Sequence, residues 1–172
     1  MTRPLTILVL AIACLMLAGC DTSGGRGSSA KVDRVVDGDT VVLTDGRRVR
    51  LVQIDAPEVS SGECYADRAT AELRRLIPDS SVVRLVADPS LDQVDEHGRL
   101  LRYLVVGLRN LNVAMVKRGA AAPYFYDGDR GAYAGRLTTA ANQAKQAGIG
   151  LWGACPGTVL NPTRGVATGP AG

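Results

Sequence analysis

Two Asp-Gly turns, at Asp37-Gly38 and Asp45-Gly46, cut residues 31–54 into three short runs rich in β-formers. The first gathers Val32, Val35 and Val36. The second is Thr40-Val41-Val42-Leu43, and the third runs from Arg47 to Ile54. An Asp-Gly pair between such runs is a strong hairpin signal, because both residues tolerate the positive φ of a tight turn. Three runs in succession predict a β-meander. The period then changes: Ala66, Ala69, Leu73, Leu76 and Ile77 fall on one face of a helix, and Pro78 stops it. Two more strands are predicted at 82–86 and 100–106. A short helix follows at 112–118, with Gly119 placed to end it, and an alanine-rich helix at 132–147 is stopped by Gly148. The order β-β-β-α-β-β-α-α is that of an α+β domain. Five short strands close most economically as a small barrel, which removes exposed sheet edges.

Composition narrows the function. A chain of 172 residues supports one compact domain of about 100–150 residues once its ends are set aside. Seven aromatics are too few for a surface built on stacked rings. The net charge of +3 disfavours a general DNA-coating protein, so any polyanion binding has to come from a local arrangement of charge. A single histidine, His97, excludes mechanisms that need two imidazoles.

The two ends read differently from the body. Residues 1–19 carry Arg3 and an apolar run too short for a comfortable span, ending in Leu17-Ala18-Gly19-Cys20. This resembles the lipobox of bacterial lipoproteins. The resemblance implies cleavage before Cys20, lipidation of its sulfur, and an exported, extracytoplasmic protein anchored to the membrane. Residues 20–30 are then a flexible tether. Cys14 leaves with the leader, so Cys64 and Cys155 remain as an even pair in an exported domain, and a disulfide between them is expected. The segment 156–172 holds seven Gly or Pro in 17 residues and is expected to be disordered. The folded domain is therefore 31–155, with a monomer as the default state.

Charge is concentrated in four places: Asp37-Gly38-Asp39-Thr40, Arg50, Asp55-Ala56-Pro57-Glu58 and Asp95-Glu96-His97-Gly98-Arg99. Asp39 opens a strand after a tight turn. Asp55 and Glu58 flank a proline at the end of the third run. A meander can bring these three carboxylates together, where they repel one another and tend to take up protons unless a cation or arginines relieve them. An oxygen-only set suits calcium better than zinc or copper.

Val36-Asp37-Gly38-Asp39-Thr40-Val41, the run Arg50 to Glu58, and Asp95 to Arg99 follow one another in an order that resembles the staphylococcal nuclease (thermonuclease) family. Asn112 to Gly119, Tyr124-Phe125-Tyr126 and Gly150-Leu151-Trp152 extend the likeness over residues 31–155. It implies a five-stranded OB barrel with three helices and a calcium-dependent phosphodiesterase that cuts DNA, RNA or both to 3′-phosphate products. By match to the family's motifs, Asp39 and Asp55 would ligate Ca2+, with Ala56 offering its backbone carbonyl. Glu58 would activate water, Arg50 and Arg99 would grip the scissile phosphate, and Tyr124 and Tyr126 would line the nucleotide pocket. Ala56 stands where threonine often occurs, and Glu96 and His97 where a basic residue and a tyrosine often do. Asp37, Asp95 and the Asp127-Gly128-Asp129 triplet read as turn formers, His97 as exposed, and Trp152 as a core plug near Cys155. The rival reading is a non-catalytic OB-type module that binds nucleic acid or protein.

Overall fold

A computed structural model describes residues 27–77 and 81–171. The leader, Cys20, most of the tether and Pro78 lie outside the described residues. The meander forms as expected from β1 (Ser28–Val35), β2 (Thr40–Leu43) and β3 (Arg48–Leu51), followed by the short β4 (Ile54–Asp55). Next come α1 (Ala66–Leu76), β5 (Val82–Val86), β6 (Leu100–Val106), β7 (Arg109–Asn110) and α2 (Leu111–Lys117). The chain continues through β8 (Ala122–Pro123), a 3-10 turn at Tyr126–Gly128, α3 (Ala134–Gln146) and the single turn α4 (Leu151–Ala154). It ends in β9 (Val159–Asn161) and β10 (Gly165–Ala167).

Five of these strands close a barrel. β2 pairs with β1 and β3, β1 pairs with β5, and β5 pairs with β6, all antiparallel. The seam is a parallel pairing of β3 with β6, with Arg50 opposite Leu101. Closure leaves no open edge among the five. Val41, Val49, Leu51, Val83 and Leu104 point inward and are fully buried. α1 lays Ala69, Leu73 and Leu76 against them. Its first turn carries Asp67 and its last Arg74 and Arg75, which suits the helix dipole.

α2 is capped by Asn110, whose side chain accepts from the Val113 amide. Asn112, wholly buried, ties this helix to the seam. It donates to the Val52 carbonyl at 2.8 Å and accepts from the Leu104 amide at 3.0 Å. Gly119 ends α2 with a φ of 61°, and a Cβ there would stand 2.1 Å from the Ile149 carbonyl oxygen. The Leu151 amide in turn donates to the Gly119 carbonyl, so this glycine permits the close crossing of two segments.

The structure corrects both expected boundaries of the domain. β1 begins at Ser28, inside the expected tether, because Ser28 to Lys31 pair with Val82 to Leu85 of β5. The expected disorder of 156–172 fails over the described part. β9 and β10 form an antiparallel hairpin, and Val166 and Thr168 are buried. Cys64 and Cys155 are bridged, as expected, 91 residues apart, and the bridge delivers the chain to this hairpin. Beyond it the Cys64 amide donates to the Gly169 carbonyl, and the Ala171 amide to that of Gly62. Gly and Pro content measures local propensity only, whereas this segment is held by partners some hundred residues upstream. Ala122, Leu151, Cys155 and Val166 form a second small core, with half-buried Trp152 packed against it.

Candidate active site

The site stands where β2 and β3 meet the Asp55–Glu58 turn. Asp37 accepts from the Asp39 amide and holds the turn, which places Asp39 at 2% exposure. The two oxygens of Asp39 are used differently: Oδ1 accepts from the Thr40 hydroxyl, and Oδ2 from the Ala56 amide at 3.1 Å. Arg50 comes from β3, opposite Thr40 in register. Its Nη2 lies 3.2 Å from Asp39 Oδ2 and 2.9 Å from Asp55 Oδ1, while Nη1 donates to the Ile54 carbonyl. One guanidinium fork thus bridges the two carboxylates. Asp55 Oδ2 accepts from the Val166 amide of the C-terminal hairpin.

The electrostatics are those of an acidic cluster with one strong internal cation. Burial pushes Asp55 up to about 6, with Asp39 adding to the rise, against the pull of the Val166 amide and Arg50. Burial also lifts Glu58 to about 7, reinforced by Asp39, Asp37 and Asp55. Asp37 is raised by burial and by Asp39. Burial opposes the charge of Arg50, but Asp39 and Asp55 outweigh it and hold the guanidinium more firmly protonated than usual.

Arg50 and Asp55 open onto a cleft of about 440 Å³ whose wall also includes Arg99, Tyr124 and Tyr126. Arg50 stacks beside the Tyr124 ring at 5.5 Å, and the two tyrosines meet edge to face at 6.4 Å. Arg99 is presented by a loop that Asp95 holds together. Asp95 Oδ1 accepts from the Arg99 and His97 amides, and Oδ2 accepts from Arg99 Nε at 2.6 Å. Burial would raise Asp95, but these bonds from Arg99 and His97 bring it below the ordinary carboxylate range. His97 is exposed, 3.7 Å from Glu96.

The expected site residues therefore divide in two. Asp39, Arg50, Asp55 and Ala56 are in direct contact, with Glu58 close enough to feel Asp37, Asp39 and Asp55. Arg99, Tyr124 and Tyr126 share the cleft with Arg50 and Asp55. Asp39 and Glu58 do not line that cleft.

The donors Asp39, Asp55 and the Ala56 carbonyl fit a hard cation. All are oxygens, the acids crowd one another in low dielectric, and no donor reaches the nearly buried Ala56 carbonyl among the described residues. No cage of three or more Asp, Glu, His or Cys side chains stands ready among the described residues, since this set has two carboxylates and Arg50 spans them.

Two cleft residues carried no local signal. Gln53 adopts a φ of 63°, accepts from Tyr103 Oη and donates to the Asp129 carbonyl, and its own carbonyl accepts from the Tyr124 amide. It sets the position of the tyrosine loop. Arg164 reaches the cleft from the C-terminal hairpin.

An OB-type barrel with a carboxylate–arginine cluster beside a tyrosine-flanked cleft defines a class suited to acting on a phosphodiester. The comparisons agree with that class. The staphylococcal nuclease homologue family matches residues 48–154. The thermonuclease of Staphylococcus intermedius is 30% identical, with the match spanning 85% of this chain and 95% of that protein. The micrococcal nuclease of Shigella flexneri is 31% identical over 71% of this chain and 72% of its own. An uncharacterized endonuclease of Escherichia coli O157:H7 is 36% identical over 71% and 75%. The chain belongs to the staphylococcal nuclease family.

Proposed function

We propose that the protein is a calcium-dependent phosphodiesterase that hydrolyses DNA, RNA or both to 3′-phosphate and 5′-hydroxyl ends. We place it outside the cytoplasm, as a monomer anchored by lipid at Cys20. The observation that carries the catalytic reading is the contact of Asp39, Arg50 and Asp55, in which Arg50 and Asp55 open onto a cleft that also presents Arg99 and two tyrosines while Asp39 stands behind them.

In this reading Arg50 and Arg99 bind the scissile phosphate from two sides. Their forks stabilise the negative charge that builds on the phosphoryl oxygens as water attacks phosphorus and the bond to the 5′ oxygen breaks. Glu58 takes the proton of the attacking water at its carboxylate, and the departing 5′ oxygen is protonated from solvent. Asp39, Asp55 and the Ala56 carbonyl hold calcium, which supplies Lewis-acid stabilisation of the same charge when bound. Tyr124 and Tyr126 pack against the nucleotide and exclude water from one side of the cleft.

The test uses the full chain purified in detergent with single-stranded DNA. Cutting in calcium, none with chelator, and loss of cutting in Glu58→Gln support the proposal. Binding without cutting, indifferent to calcium, supports the non-catalytic OB-type module instead. For the anchor, Cys20→Ser is expected to shift the protein from the membrane to the soluble fraction. Unchanged membrane retention would overturn that part.

A further inference from the structure

The C-terminal hairpin brings an additional cation to the cleft. Arg164 sits in the turn between β9 and β10, and that turn is fixed from within. The Arg164 amide donates to the Asn161 carbonyl, and Asn161 Oδ1 accepts from both the amide and the hydroxyl of Thr163. The turn is also registered against the catalytic wall. The Phe125 amide, between the two cleft tyrosines, donates to the Pro162 carbonyl, and the Val166 amide donates to Asp55. Gly165, with a φ of 95°, approaches Asp55 so closely that a Cβ would lie 2.4 Å from Oδ2. Arg164 is therefore delivered to the cleft by a rigid element bonded to the cleft's own residues.

Its partners differ from those of the other two arginines. Arg50 is bridged to two carboxylates and Arg99 to one. Arg164 is exposed, and among the described residues no carboxylate lies within ion-pair distance of it, although Asp92, Glu96 and Asp129 line the same cleft. A guanidinium held at a cleft rim without an internal counter-charge is arranged for an external anion.

We propose that Arg164 binds a phosphate of the polynucleotide flanking the scissile one, which makes the C-terminal hairpin a wall of the nucleic-acid cleft. This rests on the nuclease reading above. It extends the substrate site beyond the family match, which ends at residue 154.

The test measures binding of a short single-stranded DNA to the full chain in chelator, by fluorescence anisotropy across a salt series. Loss of one phosphate contact lowers the slope of log affinity against log salt by about 0.7. Arg164→Gln is expected to show that decrease, with a several-fold rise in KM larger than any fall in kcat, while Arg164→Lys keeps the wild-type slope. An unchanged slope in Arg164→Gln, or faster cutting by it, overturns the proposal while wild-type binding and cutting leave the nuclease reading intact. Wild-type protein that neither binds nor cuts sinks the nuclease reading, and this proposal falls with it.

Discussion

The barrel mouth and the C-terminal hairpin build one cleft by opposite means. At the mouth, Asp39, Arg50 and Asp55 lie within 17 positions of one another, and the hairpin register of β2 and β3 aligns them. At the hairpin, every anchoring contact spans a long stretch of chain: Val166 to Asp55 crosses 111 positions, and the Cys64–Cys155 bridge crosses 91. The first region is specified by turns and alternation. The second is specified by what it lands on. Chemistry is thus expected to depend on the mouth, and its reach along the substrate on the hairpin.

The sharpest way to break this contrast is at the mouth. Arg50→Ala leaves buried Asp39 and half-buried Asp55 without their counter-charge, and losing one partner of a buried pair costs about 3–5 kcal/mol, an upper figure here because Asp55 is partly open to solvent. On the proposed reading it also removes a principal donor to the transition state, with an expected fall of about 10³-fold in kcat. Urea denaturation and steady-state kinetics check the two effects. Equal loss from Arg164→Gln would erase the distinction.

Next in size is the bridge. Replacing Cys64 and Cys155 together with alanine removes a cross-link worth up to about 4–5 kcal/mol on the chain-entropy view. Hydrogen exchange is expected to rise first in 159–167 and to spare β2 and β3. Uniform loss of protection would mean that the hairpin is no separate unit.

A smaller effect is expected at Gly119→Ala, at least about 1 kcal/mol, because the left-handed turn and the contact with Ile149 both oppose a side chain. It disturbs the crossing that seats Leu151, and through Leu151 the second small core shared with Cys155 and Val166, and urea denaturation checks it.

The smallest concerns acid. Burial raises Asp88, but the Ala132 and Ser90 amides and the Ser90 hydroxyl outweigh it and bring its carboxyl below the ordinary range. A depressed folded value means that the contribution is full above the unfolded carboxylate range and is lost as pH falls through the folded value. The stability advantage of wild type over Asp88→Asn is therefore expected to be constant near neutrality and to shrink in acid. An advantage that grows in acid would reverse the assignment.

Much of this was legible in the sequence because the signals were local. The Asp-Gly turns announced the meander, the spacing of Ala66 to Ile77 gave the buried face of α1, and the clustered acids pointed to the mouth. Other features were not. Gln53 takes a left-handed backbone that no neighbour advertises, and its role comes from Tyr103 and Asp129 far along the chain. Asn112 read as the start of a helix, while its amide in fact clamps the barrel seam. Arg164 lay in a segment whose composition suggested disorder. Gln53 and Asn112 have remote partners, and Arg164 is carried to the cleft by a hairpin whose anchors are remote, so single-sequence patterns hold no record of any of them.

The parallel seam between β3 and β6 has a kinetic consequence. It joins residues about 50 positions apart, so the chain has to surrender the entropy of a large loop before the seam returns any free energy. Arg50 lies on one side of that seam and Arg99 at the start of the other, so on the proposed reading a half-assembled barrel would not bring both to a phosphate. On that reading, activity is expected to appear only once the seam has closed, and a chain that has not closed it is expected to leave nucleic acid intact.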